Sequence, residues 1–156
     1  MIIKRKLFSY YSDGPETIKL KELELRKTKP SFLAKLLSKL IKSVRNNIDN
    51  SLFYNIYEGN KRIGEIELFR ESNKEVNVVW IGINQEFRGK KYAQTILEYF
   101  IDYTRGLGYK EMTLEVPEIS PDARHIYSKF GFKETGKLTG SEDVVWGGLT
   151  AMKKIL

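Results

Sequence analysis

The sequence predicts a single-domain α/β fold, a mixed sheet with one crossover at its centre. Three observations point there. Along the chain the hydrophobic spacing passes from a period near two to helical spacing and back, more than once. A Gly59-Asn60 pair sits between two apolar-rich segments, as in a tight antiparallel hairpin. Finally, 156 residues that are 41% apolar and 12% aromatic suffice for one hydrophobic core and argue against a second.

The elements follow in order. Residues 2–8 and 18–25 read as short strands, the second because Ile18, Leu20, Leu23 and Leu25 recur at a period near two, with Ser12-Asp13-Gly14-Pro15 as the turn between them. Pro30 and Ser31 open an amphipathic helix that places Phe32, Leu33, Leu36, Leu37, Leu40, Ile41 and Val44 on one face. Lys35, Lys39, Lys42 and Arg45 lie on or beside the other face; such a helix lies on a sheet or, alternatively, on a membrane surface. Residues 52–57 and 62–69 form the hairpin, and the β-branched run 76–83 adds a third strand. Residues 92–105 switch to helical spacing, with Ala93, Ile96, Leu97, Phe100 and Ile101 inward and Gly106 and Gly108 as the stop. A strand at 112–116 ends at Pro117, a helix at 121–130 closes on Gly131, and strands at 132–135 and 145–155 complete the order β-β-α-β-β-β-α-β-α-β-β.

Composition removes whole classes of chemistry. Without cysteine there is no disulfide, thiolate metal site or thiol nucleophile, and a single histidine, His125, excludes a multi-histidine zinc site and argues against a Ser-His-Asp triad. No metal is expected. No apolar run reaches the roughly 18–20 residues that span a bilayer, and no signal-peptide core follows Lys4-Arg5-Lys6. The expected compartment is the cytoplasm. The net charge of +7 is carried by residues 1–50, where twelve lysines and arginines face five acidic residues. That basic third suits an anionic partner or simply a solvated face. Tyr10 and Tyr11 beside it could stack on a nucleic-acid base or cap a small apolar patch.

Chemistry concentrates where the 76–83 strand meets the following helix. The join reads Asn84-Gln85-Glu86-Phe87-Arg88-Gly89-Lys90-Lys91-Tyr92-Ala93. Successive amides in such a turn face one concavity, and the helix start adds about half a positive charge, which makes a site for phosphate or pyrophosphate. Arg88, Lys90 and Lys91 supplement it. Neither a Walker A loop nor a dinucleotide GxGxxG fingerprint is present, so a nucleotide-containing cofactor with another cradle is indicated.

Ile81-Gly82-Ile83 with Arg88-Gly89-Lys90-Lys91-Tyr92-Ala93 resembles the acetyl-CoA signature [Q/R]-x-x-G-x-[G/A] of the GNAT superfamily of N-acyltransferases, Arg88 taking the first position and Ala93 the last. Leu114-Glu115-Val116 followed by Ala123-Arg124-His125-Ile126-Tyr127-Ser128-Lys129-Phe130-Gly131-Phe132 resembles the family's second block, and Ala151-Met152-Lys153-Lys154-Ile155-Leu156 ends as many members do. The resemblance covers residues 52–156, which makes that stretch the cofactor-binding core and 1–50 a basic extension of the same domain. It implies a mostly antiparallel sheet flanked by helices and splayed at its central strands. It also implies acetyl-CoA as co-substrate and direct attack of an amine in a ternary complex.

On that resemblance, the main chain from Arg88 to Ala93 holds the phosphates. Ile81, Gly82 and Ile83 hold the pantetheine arm, and a bulge in their strand frees an N–H for the thioester oxygen. Tyr127 is the implied general acid. Glu115 is the implied base, as in the branch that acetylates N-terminal alanine of ribosomal proteins, where the glutamate likewise stands twelve residues before the tyrosine. Three positions depart from the pattern. Lys91 replaces a glycine: a left-handed backbone there would cost lysine free energy, and any other would let its ammonium help neutralise phosphate. Ser120 replaces an asparagine expected near the pantetheine arm, and Asn77 stands where the histone-acetylating branch has its base. His125 reads as a solvated helical histidine, Trp80 and Trp146 as core or cleft lining.

The acceptor is expected on a protein or peptide, the alternatives being a small amine or a non-catalytic module that binds an acidic protein or nucleic acid. A basic N-terminal third would repel polycationic amines and favour an acidic or nucleic-acid-associated acceptor. The resemblance also allows a homodimer.

Overall fold

Alternation of apolar and polar residues, interrupted by turns, builds one eight-stranded sheet in the order β1-β2-β3-β4-β5-β6-β8-β7. The computed structural model of the chain describes residues 14–29, 50–138 and 148–156. The strand expected at 2–8, Tyr10 and Tyr11, the basic helix from Pro30, and the first part of the 145–155 strand with Trp146 lie outside the described residues.

The strand expected over 18–25 is two strands, β1 (Thr17–Leu20) and β2 (Leu23–Lys27), folded into an antiparallel hairpin. Lys21 turns the chain with a positive φ of 53°. The reason is visible in the spacing: Leu20 and Leu23 are three apart, and a continuous strand would send them to opposite faces. Strand β2 pairs with β3 (Ser51–Glu58), and β3 with β4 (Lys61–Arg70) across the expected turn, where Gly59 takes φ 58°. β4 pairs with β5 (Glu75–Ile83), and a three-residue 3-10 turn, Gln85–Phe87, leads into α1 (Tyr92–Gly106). α1 carries the chain across to β6 (Glu111–Pro117), the one parallel neighbour of β5. Helix α2 (Pro121–Lys129), β7 (Lys133–Leu138) and β8 (Leu149–Ile155) follow, with β8 between β6 and β7.

One face of the sheet meets α1. Ile96, Leu97, Phe100 and Ile101 are buried there among Tyr54, Ile66, Leu68, Val76, Val78, Met112 and Leu114. The rings of Tyr54 and Phe100 stand 5.7 Å apart, and the Tyr54 hydroxyl donates to the Pro15 carbonyl at 2.8 Å. Gly131 closes α2 as expected, at φ 83°, with the Phe132 amide reaching back to the Tyr127 carbonyl at 3.1 Å.

The feature that positions the site is a fork. β4 follows β5 to its end, as far as Gly64 opposite Ile83. The β5–β6 ladder stops at Val78 opposite Leu114, although β6 goes on pairing with β8 through Pro117. At the fork β5 bulges: Glu67 faces Trp80 and Leu68 faces Val78, which leaves Val79 without an opposite residue. The bulge shifts the alternation by one, so Val76 and Val78 face the core before it and Ile81 and Ile83 after it. The splay implied by the resemblance is present, and this single extra residue coincides with it.

Candidate active site

The fork opens into a cleft of about 830 Å³ between the start of α1 and the start of α2. Trp80, Ile81, Gly82 and Ile83 form one wall. Phe87, Arg88, Gly89, Lys91, Tyr92, Ala93, Gln94 and Leu97 form a second, and Ile119 through Ala123 with Ile126 and Tyr127 a third.

The turn before α1 is built to expose amides. Gly89 has φ 84°, and Lys91, the N-cap, sits in the left-handed region at φ 62°, ψ 20°. The first α-helical bond runs from the Thr95 amide to the Lys91 carbonyl at 3.0 Å. The amides of Tyr92, Ala93 and Gln94 are therefore the free donors of a helix start, and all three residues line the cleft. Lys91 thus adopts the conformation that glycine adopts at no cost, and it is among the residues lining the cleft.

The basic side chains divide their work. Arg88 donates from Nε to the Ile83 carbonyl at 3.0 Å, bracing the turn on the end of β5. Lys90 turns away: its ammonium meets Glu58 Oε1 at 2.9 Å, and Lys90 is not among the residues lining the cleft. The buried Tyr92 donates its hydroxyl to the same Glu58 oxygen. Those two donors, Tyr92 first, hold the Glu58 carboxyl below its ordinary range. The β3–β4 turn is thus tied to the phosphate-type turn through one carboxylate, and Phe87 between Lys61 and Lys90 adds a cation–π contact on either side, at 4.8 and 5.3 Å.

On the opposite wall Ser120 is the N-cap of α2; its hydroxyl makes no capping bond, and the residue lines the cleft. Pro121 follows at the first turn, where a missing N–H costs nothing. Tyr127 lines the cleft, half-buried, with its ring 6.0 Å from that of Phe132, and burial raises its phenol above the ordinary value. His125 is exposed and stands apart from the cleft.

Glu115 occupies a different place from Tyr127. It is the first β6 residue beyond the last β5–β6 pair, exposed, and on the side of the sheet away from Leu114 and Val116. It does not line the cleft. Asn77 lies on that same far side, where it donates to Thr113 Oγ1 at 3.1 Å, and Thr113 in turn donates to Glu75 Oε1 at 3.0 Å. Trp80 lies there too, 53% exposed, with its indole over Gly82, where an added Cβ would come within 2.6 Å of Nε1. Gln94, Ile119, Pro121, Asp122 and Ile126 complete the cleft without having been singled out from sequence as site residues. Their signal was positional: each adjoins a motif residue at a helix start or on α2.

A forked, mostly antiparallel sheet with an amide-lined cleft at the fork defines an acetyltransferase-type fold. The chain belongs to the Acetyltransferase (GNAT) family, whose model matches residues 17–132. N-acetyltransferase 8B from Homo sapiens is 28% identical over 64 residues, 41% of this chain and 28% of that protein. Probable N-acetyltransferase family 8 member 5 from Mus musculus is 25% identical over 73 residues, 47% of this chain and 32% of that one. The match therefore spans less than a third of either relative's length. Among solved structures, a GNAT family acetyltransferase from Elizabethkingia anophelis with acetyl-CoA bound gives a TM-score of 0.70 at 14% identity, covering 87% of this chain and 99% of that one. Ard1 from Thermoplasma volcanium gives 0.64 at 19% identity, covering 83% and 82%. These likenesses establish the fold.

Proposed function

We propose that this chain is an acetyl-CoA-dependent N-acetyltransferase that acetylates a primary amine, carried by a protein or peptide or, as the alternative, by a small molecule. The observation that carries this reading is the continuity of one cleft from the amides at the start of α1, along the unpaired edge of β5, to Tyr127.

The residues fit the cofactor's chemistry in three parts. A diphosphate suits the donors of Tyr92, Ala93 and Gln94, with Lys91 adding charge. Ile81 to Ile83 offer main-chain groups that β6 leaves unclaimed, as an extended amide-bearing arm would need. Ser120 offers a hydroxyl without a capping bond. Acetyl-CoA, when bound, supplies an acetyl group activated as a thioester.

Transfer forms a C–N bond, breaks a C–S bond, takes a proton from the amine and returns one to sulfur. Tyr127 is our general acid: a phenol already holds its proton at neutral pH, and burial raises this one further. Glu115, at the crotch of the fork on the far side, is our first assignment for accepting the amine's proton. Calorimetry with acetyl-CoA, followed by CoA release in the presence of amine-bearing peptides and small amines, tests the reading. No heat of binding, or no release with any amine, would reject it.

A further inference from the structure

A second, smaller cavity of about 240 Å³ lies beside the fork, and Trp80 lines both it and the main cleft. The residues around this cavity include Thr28, Phe53, Asn55, Glu65 and Glu67. We propose that Glu67 is an acceptor-binding residue, whose carboxylate receives the ammonium group of a cationic amine that bears no carboxylate of its own, the ammonium releasing one proton to solvent before its nitrogen attacks. The inference rests on the transferase reading above and names its acceptor class.

Three observations carry it. Register places Glu67 opposite Phe53 on β3 and opposite Trp80 on β5, so the carboxylate lies in a row between two aromatic side chains. A carboxylate for the charge and an exposed ring for the adjoining methylenes, here that of Trp80, are the ordinary requirements of an alkylammonium ion. Second, Glu67 is held but not neutralised. Ser51, itself 3% exposed, meets Glu67 Oε1 at 3.0 Å, and no described lysine or arginine pairs with that carboxylate. Its neighbour Glu65 is already engaged by Arg62 at 2.5 Å. Burial raises the Glu67 carboxyl above its ordinary value, a cost that a bound ammonium would relieve. Third, among the described residues no lysine, arginine or histidine lines the cavity. Farther along, burial raises the Glu71 carboxyl, and the nearby Glu75 and Glu115 add to the rise. A second negative charge on the acceptor would meet only repulsion from these groups. Among the described residues, the cavity's sign thus runs against the anionic acceptor favoured by the overall charge of the sequence.

The test uses the full chain with saturating acetyl-CoA and two probes of equal length, butylamine and 4-aminobutanoate, read by CoA release. Butylamine should show kcat/KM at least about tenfold higher. Glu67→Gln should raise KM for butylamine about tenfold or more while calorimetry gives an unchanged Kd for acetyl-CoA, which also reports an intact fold. Ser51→Ala, which frees the carboxylate to move, should raise KM by a smaller factor. Equal turnover of the two probes, turnover of neither by a chain that binds acetyl-CoA, or an unchanged KM in Glu67→Gln overturns the assignment. If butylamine fails but another amine releases CoA, the transferase reading stands and the Glu67 assignment falls; if acetyl-CoA itself does not bind, the transferase reading is what failed.

Discussion

The two sides of the fork are made from different materials. On the α1 side the recognition we propose rests on the main chain: left-handed turns at Gly89 and Lys91, the first amides of a helix, and the edge of β5 that β6 leaves unclaimed. On the far side the proposed recognition rests on side chains, with Glu67 between Phe53 and Trp80 and Glu115 at the crotch. A backbone site needs particular conformations at particular positions and tolerates varied side chains. A side-chain site needs particular residues and a sheet register that brings distant ones together. The contrast indicates where substitutions should act on binding and where on specificity.

The severest break is where β4 meets the end of β5. A Cβ at Gly64 would lie 2.1 Å from the Gly82 carbonyl oxygen and 3.2 Å from Ile83 Cα, so two backbones must part. Gly64→Ala should cost about 3 kcal/mol in urea denaturation and weaken both sides of the fork together. A variant of native stability would mean that the strands separate without penalty.

Next comes Tyr127→Phe, which keeps the ring against Phe132 and removes only the hydroxyl. We expect kcat to fall about 100-fold with acetyl-CoA affinity unchanged. Glu115→Gln should lower kcat as well, by about tenfold or more. Unchanged turnover in either variant removes that residue's role.

How much of this the sequence disclosed follows the same division. The Gly59-Asn60 hairpin, the crossover helix and the turn from Arg88 to Ala93 are local, and local spacing with turn chemistry sufficed to find them. The β1–β2 hairpin was missed because its turn residue is Lys21, which carries none of the usual glycine or asparagine signal despite a φ of 53°. The bulge at Val79 lies in an unbroken apolar run, so the fork was implied only through family resemblance. Lys90 read as a phosphate ligand because its partner Glu58 lies 32 residues away. Glu67 went unnoticed for a similar reason. Alternation with Ile66 and Leu68 places it off the core face, but its two aromatic neighbours arrive only through pairing with β3 and β5.

A smaller effect concerns what Glu67 costs the fold. Its carboxyl is raised above the ordinary 4.5 by burial, the Ser51 hydroxyl opposing but not cancelling this. When folding raises a carboxyl pKa, the folded state holds its proton more tightly than the unfolded chain. As pH rises past the unfolded value the unfolded chain ionises first, and stability falls until the folded group has ionised too. Glu67→Gln should therefore melt higher than the parent at pH 7, with the difference fading below about pH 4. Equal melting temperatures at both pH values would show that the carboxylate imposes no cost, and with it would go the argument that an ammonium relieves one.

The smallest effect separates backbone from charge within the cofactor side. Lys91 at φ 62° pays about 1–2 kcal/mol for a conformation glycine adopts freely, less the chain entropy that glycine forfeits on folding. Lys91→Gly should gain up to about 1 kcal/mol of stability. The same change deletes an exposed ammonium from the cleft wall, so affinity for acetyl-CoA should fall a few-fold, and more at low salt than at high. Opposite movements of stability and affinity are what a main-chain site with an accessory charge requires. A loss beyond about tenfold would instead make the side chain, and not the amides of Tyr92 to Gln94, the principal anion ligand, and the contrast between the two sides of the fork would no longer hold.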